Sequence, residues 1–167
     1  MARECGSCTA CCELLEVLEL KKPRGVLCQH CTIGRGCAIY ETRPEVCRDY
    51  ECGWLAHDYI PDELRPDRCG FILDSTHDKR VMLIHVNERK MREQRRRVTQ
   101  LYKFAERIVR SGKPVVFFNP NTPQEIRVWP CVGLTKDGVL EILRQDRLAR
   151  QQRRRSRAGQ VAVEQEA

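Results

Sequence analysis

Cysteine limits this chain more than any other residue. There are eleven, and nine of them fall between Cys5 and Cys52. Their order is Cys5-x2-Cys8-x2-Cys11-Cys12, then Cys28-x2-Cys31, then Cys37, Cys47 and Cys52. A Cys-x2-Cys step lets two thiolates face one ion from a tight turn, which is why it recurs in zinc and iron–sulfur sites. An odd number of cysteines excludes a monomer with every thiol in a disulfide. The start Met1-Ala2-Arg3-Glu4-Cys5 lacks the apolar core of a signal peptide, which predicts a cytoplasmic, reducing setting where disulfides rarely persist. Unligated cysteines pack as small hydrophobes, but rarely nine together at such spacings. The pattern therefore predicts metal, with Cys5, Cys8, Cys11, Cys12, Cys28, Cys31, Cys37, Cys47 and Cys52 as candidate ligands.

Nine thiols fill two four-ligand sites with one left over, or share thiolates in one cluster. Soft sulfur suits zinc and iron–sulfur clusters alike. Cys5-x2-Cys8-x2-Cys11 matches three cysteines of a ferredoxin run, without the x3-Cys-Pro that completes it. Both cofactors stay open on these grounds. His30 sits inside the Cys28–Cys31 pair, yet cysteines are in surplus around it and it reads as a loop residue. Arg43 and Arg48 flank Cys47 and are either donors to ligand sulfurs or surface charge. Cys69 and Cys131 stand alone and read as packed thiols. His57, His77 and His85 have no partner spacing.

The remaining sequence reads as α+β. With 167 residues, 41% hydrophobic and 32% charged, the chain suits one domain, and no apolar run approaches the roughly 18 residues of a membrane span. It divides into a cysteine-rich part (1–56), a body (57–149) and a basic tail expected to be disordered (150–167). In the first part, Thr42-Arg43-Pro44-Glu45 predicts a capped helix start carrying Val46, Cys47 and Tyr50, with Cys52 near its end. Leu14 to Lys22 fits either helix or strand. In the body, Phe71–Leu73 and Val81–Val86 predict one hairpin, and Val115–Phe118 with Ile126–Trp129 a second across Asn119–Pro123. A helix is expected from Glu88 to Ser111, stopped by Gly112, and another from about Asp137.

Charge is uneven. The net charge is +7, and seven arginines against one aspartate lie between Arg144 and Arg157. A second run, Arg89–Arg97, holds five arginines and Lys90. Both are candidates for RNA phosphates or an acidic protein. No aromatic residue interleaves them, so the runs alone do not imply base stacking.

Two blocks carry a family likeness. Cys5-Gly6-Ser7-Cys8-Thr9-Ala10-Cys11-Cys12 resembles the signature of the CxxCxxCC family of zinc- or iron-chelating proteins, the YkgJ-like cysteine-cluster proteins. The run Cys37 to Cys52 resembles that family's second block, where a cysteine and an aromatic precede Arg43-Pro44, followed by Cys47-Arg48 and a last cysteine. The likeness covers residues 5–52 and implies a chelated metal. Relatives are often labelled iron–sulfur oxidoreductases, and the motif also occurs in a flagellin lysine N-methylase type of protein. The leading expectation is a protein that chelates zinc or an iron–sulfur cluster. Its rivals are an iron–sulfur oxidoreductase or methylase-related enzyme, and a zinc-stabilised module that binds RNA or protein. The chain has no Gly-rich phosphate loop, no Gly-x-Ser-x-Gly elbow and no His-Glu-x-x-His, so catalysis would run on the metal centre.

Overall fold

The apolar runs of the body form a single sheet. The computed structural model describes residues 3–93, 95–120 and 126–165, with side chains as far as Arg153 and at Ser156. Strands β1 (Cys31–Thr32) and β2 (Gly36–Cys37) make a small hairpin in the cysteine-rich part. Strands β3 (Phe71–Ser75), β4 (Met82–Val86), β5 (Val115–Phe118) and β6 (Arg127–Trp129) make the main sheet in the order β3-β4-β5-β6. Both predicted hairpins are present as antiparallel pairs, with Ile72 opposite His85 and Val116 opposite Val128. The turn expected across Asn119–Pro123 runs into residues outside those described.

The two hairpins are joined by a parallel pairing of β4 with β5. Parallel neighbours cannot be linked by a tight turn and need a crossover. Helices α5 (Glu88–Glu93) and α6 (Arg95–Arg110) supply it. Successive strand residues point to opposite faces. Phe71, Leu73, Ile84, Val115 and Phe117 pack with Leu101, Phe104 and Ala105 of α6. On the opposite face, Leu83 and Val116 pack with Val139 and Ile142 of the last helix, α7 (Lys136–Gln165). Beside them Ile72 packs with Ala10 and Leu14. The last helix and Ala10–Leu14 therefore share one side of the sheet, while Trp54 of the cysteine-rich part packs on the other. The fold is α+β with two long helices. Among the described residues, no helix is long and apolar enough to cross a membrane.

Three local expectations need correction. The capping box at Thr42 does not form: α2 (Glu45–Arg48) follows Pro44 and has no side-chain cap. The Thr42 amide is bonded at 3.1 Å to the Ile39 carbonyl, which places Thr42 in the preceding turn. Tyr50 lies beyond α2, and Cys52 precedes a separate helix, α3 (Gly53–Ala56). Leu14 to Lys22 is neither one helix nor one strand. It continues from α1 (Ala10–Leu14) through a 3-10 turn at Leu18–Leu20, closed by a bridge between Val17 and Lys22. Finally, the backbone of α7 runs past residue 149 to Gln165. Just beyond that boundary Arg150 is held by Asp146 at 2.7 Å and by the Ser75 carbonyl at 2.9 Å.

Candidate metal centre

Backbone bonds bring the cysteine blocks together step by step. The Cys8 amide donates to the Cys5 carbonyl at 3.0 Å, closing the first Cys-x2-Cys turn. The Cys28 amide donates to the Cys12 carbonyl at 3.0 Å, which ties the second pair to the doubled cysteine. The Cys31 amide returns to the Cys28 carbonyl at 3.0 Å. The β1–β2 ladder then sets Cys37 opposite Cys31.

The thiols sense one another in two overlapping neighbourhoods. Burial pushes Cys5 up, and the adjacent Cys11 and Cys8 add to it. Cys52 is pushed up to about 11, first by burial and then by Cys5 and Cys8. Cys11 is raised by its hydrogen bond with the Cys12 thiol and by burial. Cys31 is raised by burial, with Cys11, Cys28 and Cys37 contributing, while its own bond with Cys12 acts the other way. Burial raises Cys47 too, and Cys11, Cys28 and Cys37 reinforce it. One neighbourhood thus gathers Cys5, Cys8 and Cys52. The other gathers Cys12, Cys28, Cys31, Cys37 and Cys47, and Cys11 joins the two.

Groups that would welcome negative sulfur surround these thiols. Burial raises Cys8, and the nearby amides of Ala10 and Asp67 pull it the other way; those of Leu55 and Trp54 do the same for Cys52. Arg65, at the entry to α4 (Pro66–Cys69), donates to the Cys5 carbonyl at 2.9 Å and pairs with Asp67 at 3.1 Å. Lys22 is only 5% exposed. Its ammonium bonds the Leu15 and Pro23 carbonyls. Burial lowers its pKa, and the thiols of Cys28, Cys12 and Cys11 oppose that shift.

The predicted secondary residues fall elsewhere. Arg43 does not reach a sulfur: it donates to the carbonyls of Tyr40 at 2.8 Å and Cys47 at 3.3 Å, and lies over the Tyr40 ring. Arg48 is exposed. His30 is paired with Gln29 at 3.2 Å. Cys69 is fully buried and directed at the carbonyls of Leu64 and Phe71, at 3.4 and 3.2 Å.

Several residues that spacing did not single out anchor the cysteine-rich part to the sheet. Buried Glu13 accepts from Thr9 at 3.0 Å and from Asn87 at 3.0 Å, and pairs with Lys90 at 3.4 Å. Arg24 reaches the ring of buried His85 at 3.0 Å. Arg3 donates to the carbonyls of Trp54, His57, Asp58 and Ile60. The signal that could have exposed His85 is strand alternation, which puts it on the same face as Leu83.

The donor set fits a thiophilic metal in type and in number. The sulfurs are neighbours without being drawn to one point: among the described residues, no group of three or more His, Cys, Asp or Glu side chains is spaced to hold an ion. Comparison with protein-family models, with curated proteins and with solved structures returns no match.

Proposed function

We propose that residues 5–52 are a metal-chelating element that holds zinc or an iron–sulfur cluster through cysteine thiolates. One observation carries this reading: backbone bonds draw cysteines from separate stretches of the sequence together, Cys28 to Cys12 at 3.0 Å and Cys37 opposite Cys31, beside the turns that close Cys5–Cys8 and Cys28–Cys31. Thiols that raise one another's pKa resist ionising together. A cation removes that resistance, so metal uptake is coupled to proton release. Cys5, Cys8 and Cys52 would supply ligands on one side, and Cys12, Cys28, Cys31, Cys37 and Cys47 on the other, with Cys11 between them. A thiolate-bound zinc ion would supply folding energy, and an iron–sulfur cluster would supply one-electron chemistry. The likeness to the CxxCxxCC proteins supports the same reading, on the two blocks quoted above.

The test is anaerobic purification of the full chain with analysis of zinc, iron and acid-labile sulfide. Stoichiometric zinc without colour, or iron and sulfide with visible charge-transfer absorbance, supports the proposal and selects the cofactor. Less than about a tenth of a metal atom per chain, with every thiol of 5–52 open to a thiol reagent in the native protein, overturns it.

A further inference from the structure

The ring of His85 is 6% exposed and is held by groups from three separate segments. Arg24, in the loop between Lys22 and Cys28, meets Nδ1 at 3.0 Å. Phe118 of β5 stacks on the ring with centroids 5.2 Å apart, and the Arg24 guanidinium lies 5.1 Å from the Phe118 centroid. Asp74 of β3 stands with Oδ2 3.8 Å from Nε2, beyond hydrogen-bond reach. The Nε2 atom is buried and has no hydrogen-bond partner among the described residues.

An arginine side chain only donates, and it stays charged at every pH a folded protein meets. Nδ1 must therefore accept from Arg24, so the ring is neutral with its proton on Nε2. A second proton has only Nδ1 to go to. There it sets an N–H against the N–H of Arg24 and one cation against another. Arg150 of α7 opposes that charge as well, whereas Asp74 favours it, and Tyr50 borders the same carboxylate. A protonated ring keeps Asp74 as its counter-ion, while Arg24 loses its acceptor and retains the attraction of exposed Glu16. Arg24 is also where its loop meets the sheet. Next to it Gly25 has φ +75°, and a Cβ there would stand 2.5 Å from the Pro120 Cβ, so the loop is seated against the chain just beyond β5. The Gly25 amide donates to the Leu14 carbonyl at 3.3 Å, and the Cys28 amide to the Cys12 carbonyl at 3.0 Å.

We propose that His85 and Arg24 form an acid-released latch: the neutral ring docks the loop from Arg24 to Cys28 on the sheet, and the protonated ring lets it go. The proton comes from solvent, and no covalent bond changes. Docking and protonation oppose each other, so each weakens the other by the same factor. Protonation of one buried histidine is thereby turned into movement of the segment that delivers Cys28 to Cys12. The latch concerns how the loop is attached and is independent of the metal reading.

The test follows the full chain as purified from about pH 7.5 to 4.5, across the ordinary histidine range. Ring NMR reads the protonation of His85. Hydrogen exchange, corrected for its intrinsic pH dependence, reads the Gly25 and Cys28 amides. Protection of both should fall about tenfold as the ring takes its proton, the change carried by one pKa unit of coupling. Arg24→Met, which keeps an apolar stem over Phe118, should raise the pH at which the ring titrates, and Asp74→Asn should lower it. If Arg24→Met does not fold, Arg24→Gln replaces it with the same expected direction. His85→Gln keeps an acceptor for Arg24 and cannot titrate, so its Gly25 and Cys28 amides should stay protected throughout. Protonation of the thiols instead would open the loop in His85→Gln as in the parent, and that result overturns the latch. A parent ring that stays neutral to the end of the range overturns it too. So does a ring that titrates at the same pH in the Arg24 variant, or loop protection that stays level while the parent's ring titrates.

Discussion

Position, not identity, separates the cysteines. Cys69 has no exposed surface, bonds two carbonyls and is pushed up to about 12, chiefly by burial. It is held as a thiol, so Cys69→Ala should leave the metal content unchanged. Cys8 and Cys47 sit among other thiols. Replacing either with Ala should lower the bound metal and make the rest labile to a chelator, because one coordination position opens to water. Elemental analysis of the three variants decides this, and metal loss on Cys69→Ala would extend the site beyond residue 52. His85 gives a second residue-scale prediction. Burial lowers its pKa below the ordinary 6.5, against the pull of Asp74, while Arg24 and Arg150 also oppose a charge on the ring. Below about pH 6.5 the unfolded chain binds a proton that the folded one refuses, so stability is fully present above that pH and falls as the pH drops. The slope from this ring cannot exceed about 1.4 kcal/mol per pH unit. His85→Leu should flatten the acid limb of a denaturant titration between about pH 6.5 and 5 relative to the parent. An unchanged slope would mean that the ring is already charged in the native protein.

At the scale of elements, the short helices are fixed by what they touch. A Cβ at Gly53 would stand 3.0 Å from the Leu73 Cβ and 3.1 Å from its carbonyl oxygen, which is backbone that cannot swing aside. Gly53→Ala should therefore cost about 1–3 kcal/mol as α3 is pushed off β3, measured by chemical denaturation. The helix α7 is anchored by residues on both sides of the expected tail boundary. Asp146 accepts from the His77 amide at 2.7 Å, and Arg150 bonds the Ser75 carbonyl. A chain ending at Ala149 loses the Arg150 bonds and should be less stable by about 0.5–1.5 kcal/mol, whereas one ending at Ser156 should melt with the parent. Equal melting of the two truncations would show that Arg150 contributes nothing. The strands and α6 were legible because their apolar residues recur with period 2 or 3.6 over enough positions. The helices of the cysteine-rich part were not. They are four or five residues long, and what fixes them is contact with β3 and with other cysteines, not a repeating face. The Thr42 capping pattern pointed to the right neighbourhood and the wrong first residue for the same reason.

For the whole molecule, the question is how far the cysteine-rich part and the sheet depend on each other. The Cys-x2-Cys turns were legible because such a turn is a local signal, closed here by backbone bonds from Cys8 to Cys5 and from Cys31 to Cys28. Such a signal could not reveal Lys22, Glu13, Arg24 or Arg65, whose partners are up to 77 positions away. These long-range bonds, together with Ile72 packed on Ala10 and Leu14, make the sheet a platform for the cysteines. The dependence is unequal. The core between α6 and the sheet contains Phe71, Ile84, Leu101, Phe104, Val115 and Phe117, and only Trp54, Leu55 and Cys52 of the cysteine-rich part join it. Fully burying one such side chain is worth about 1.5–3 kcal/mol, so this layer can persist alone. The cysteine-rich part has few buried apolar residues of its own, and a structural thiolate site can lend such a segment roughly 10–16 kcal/mol of binding energy. On the proposed reading, removing the metal should therefore abolish amide protection over residues 5–52. It should weaken protection in β3, whose Ile72 side chain and Gly53 contact become uncovered. Protection in β4, β5 and α6 should stay within a few-fold of the starting level. Hydrogen exchange with and without chelator reads all three segments at once. Uniform loss would mean that the sheet needs the metal too, and unchanged protection over 5–52 would mean that the cysteines hold the ion without holding the fold.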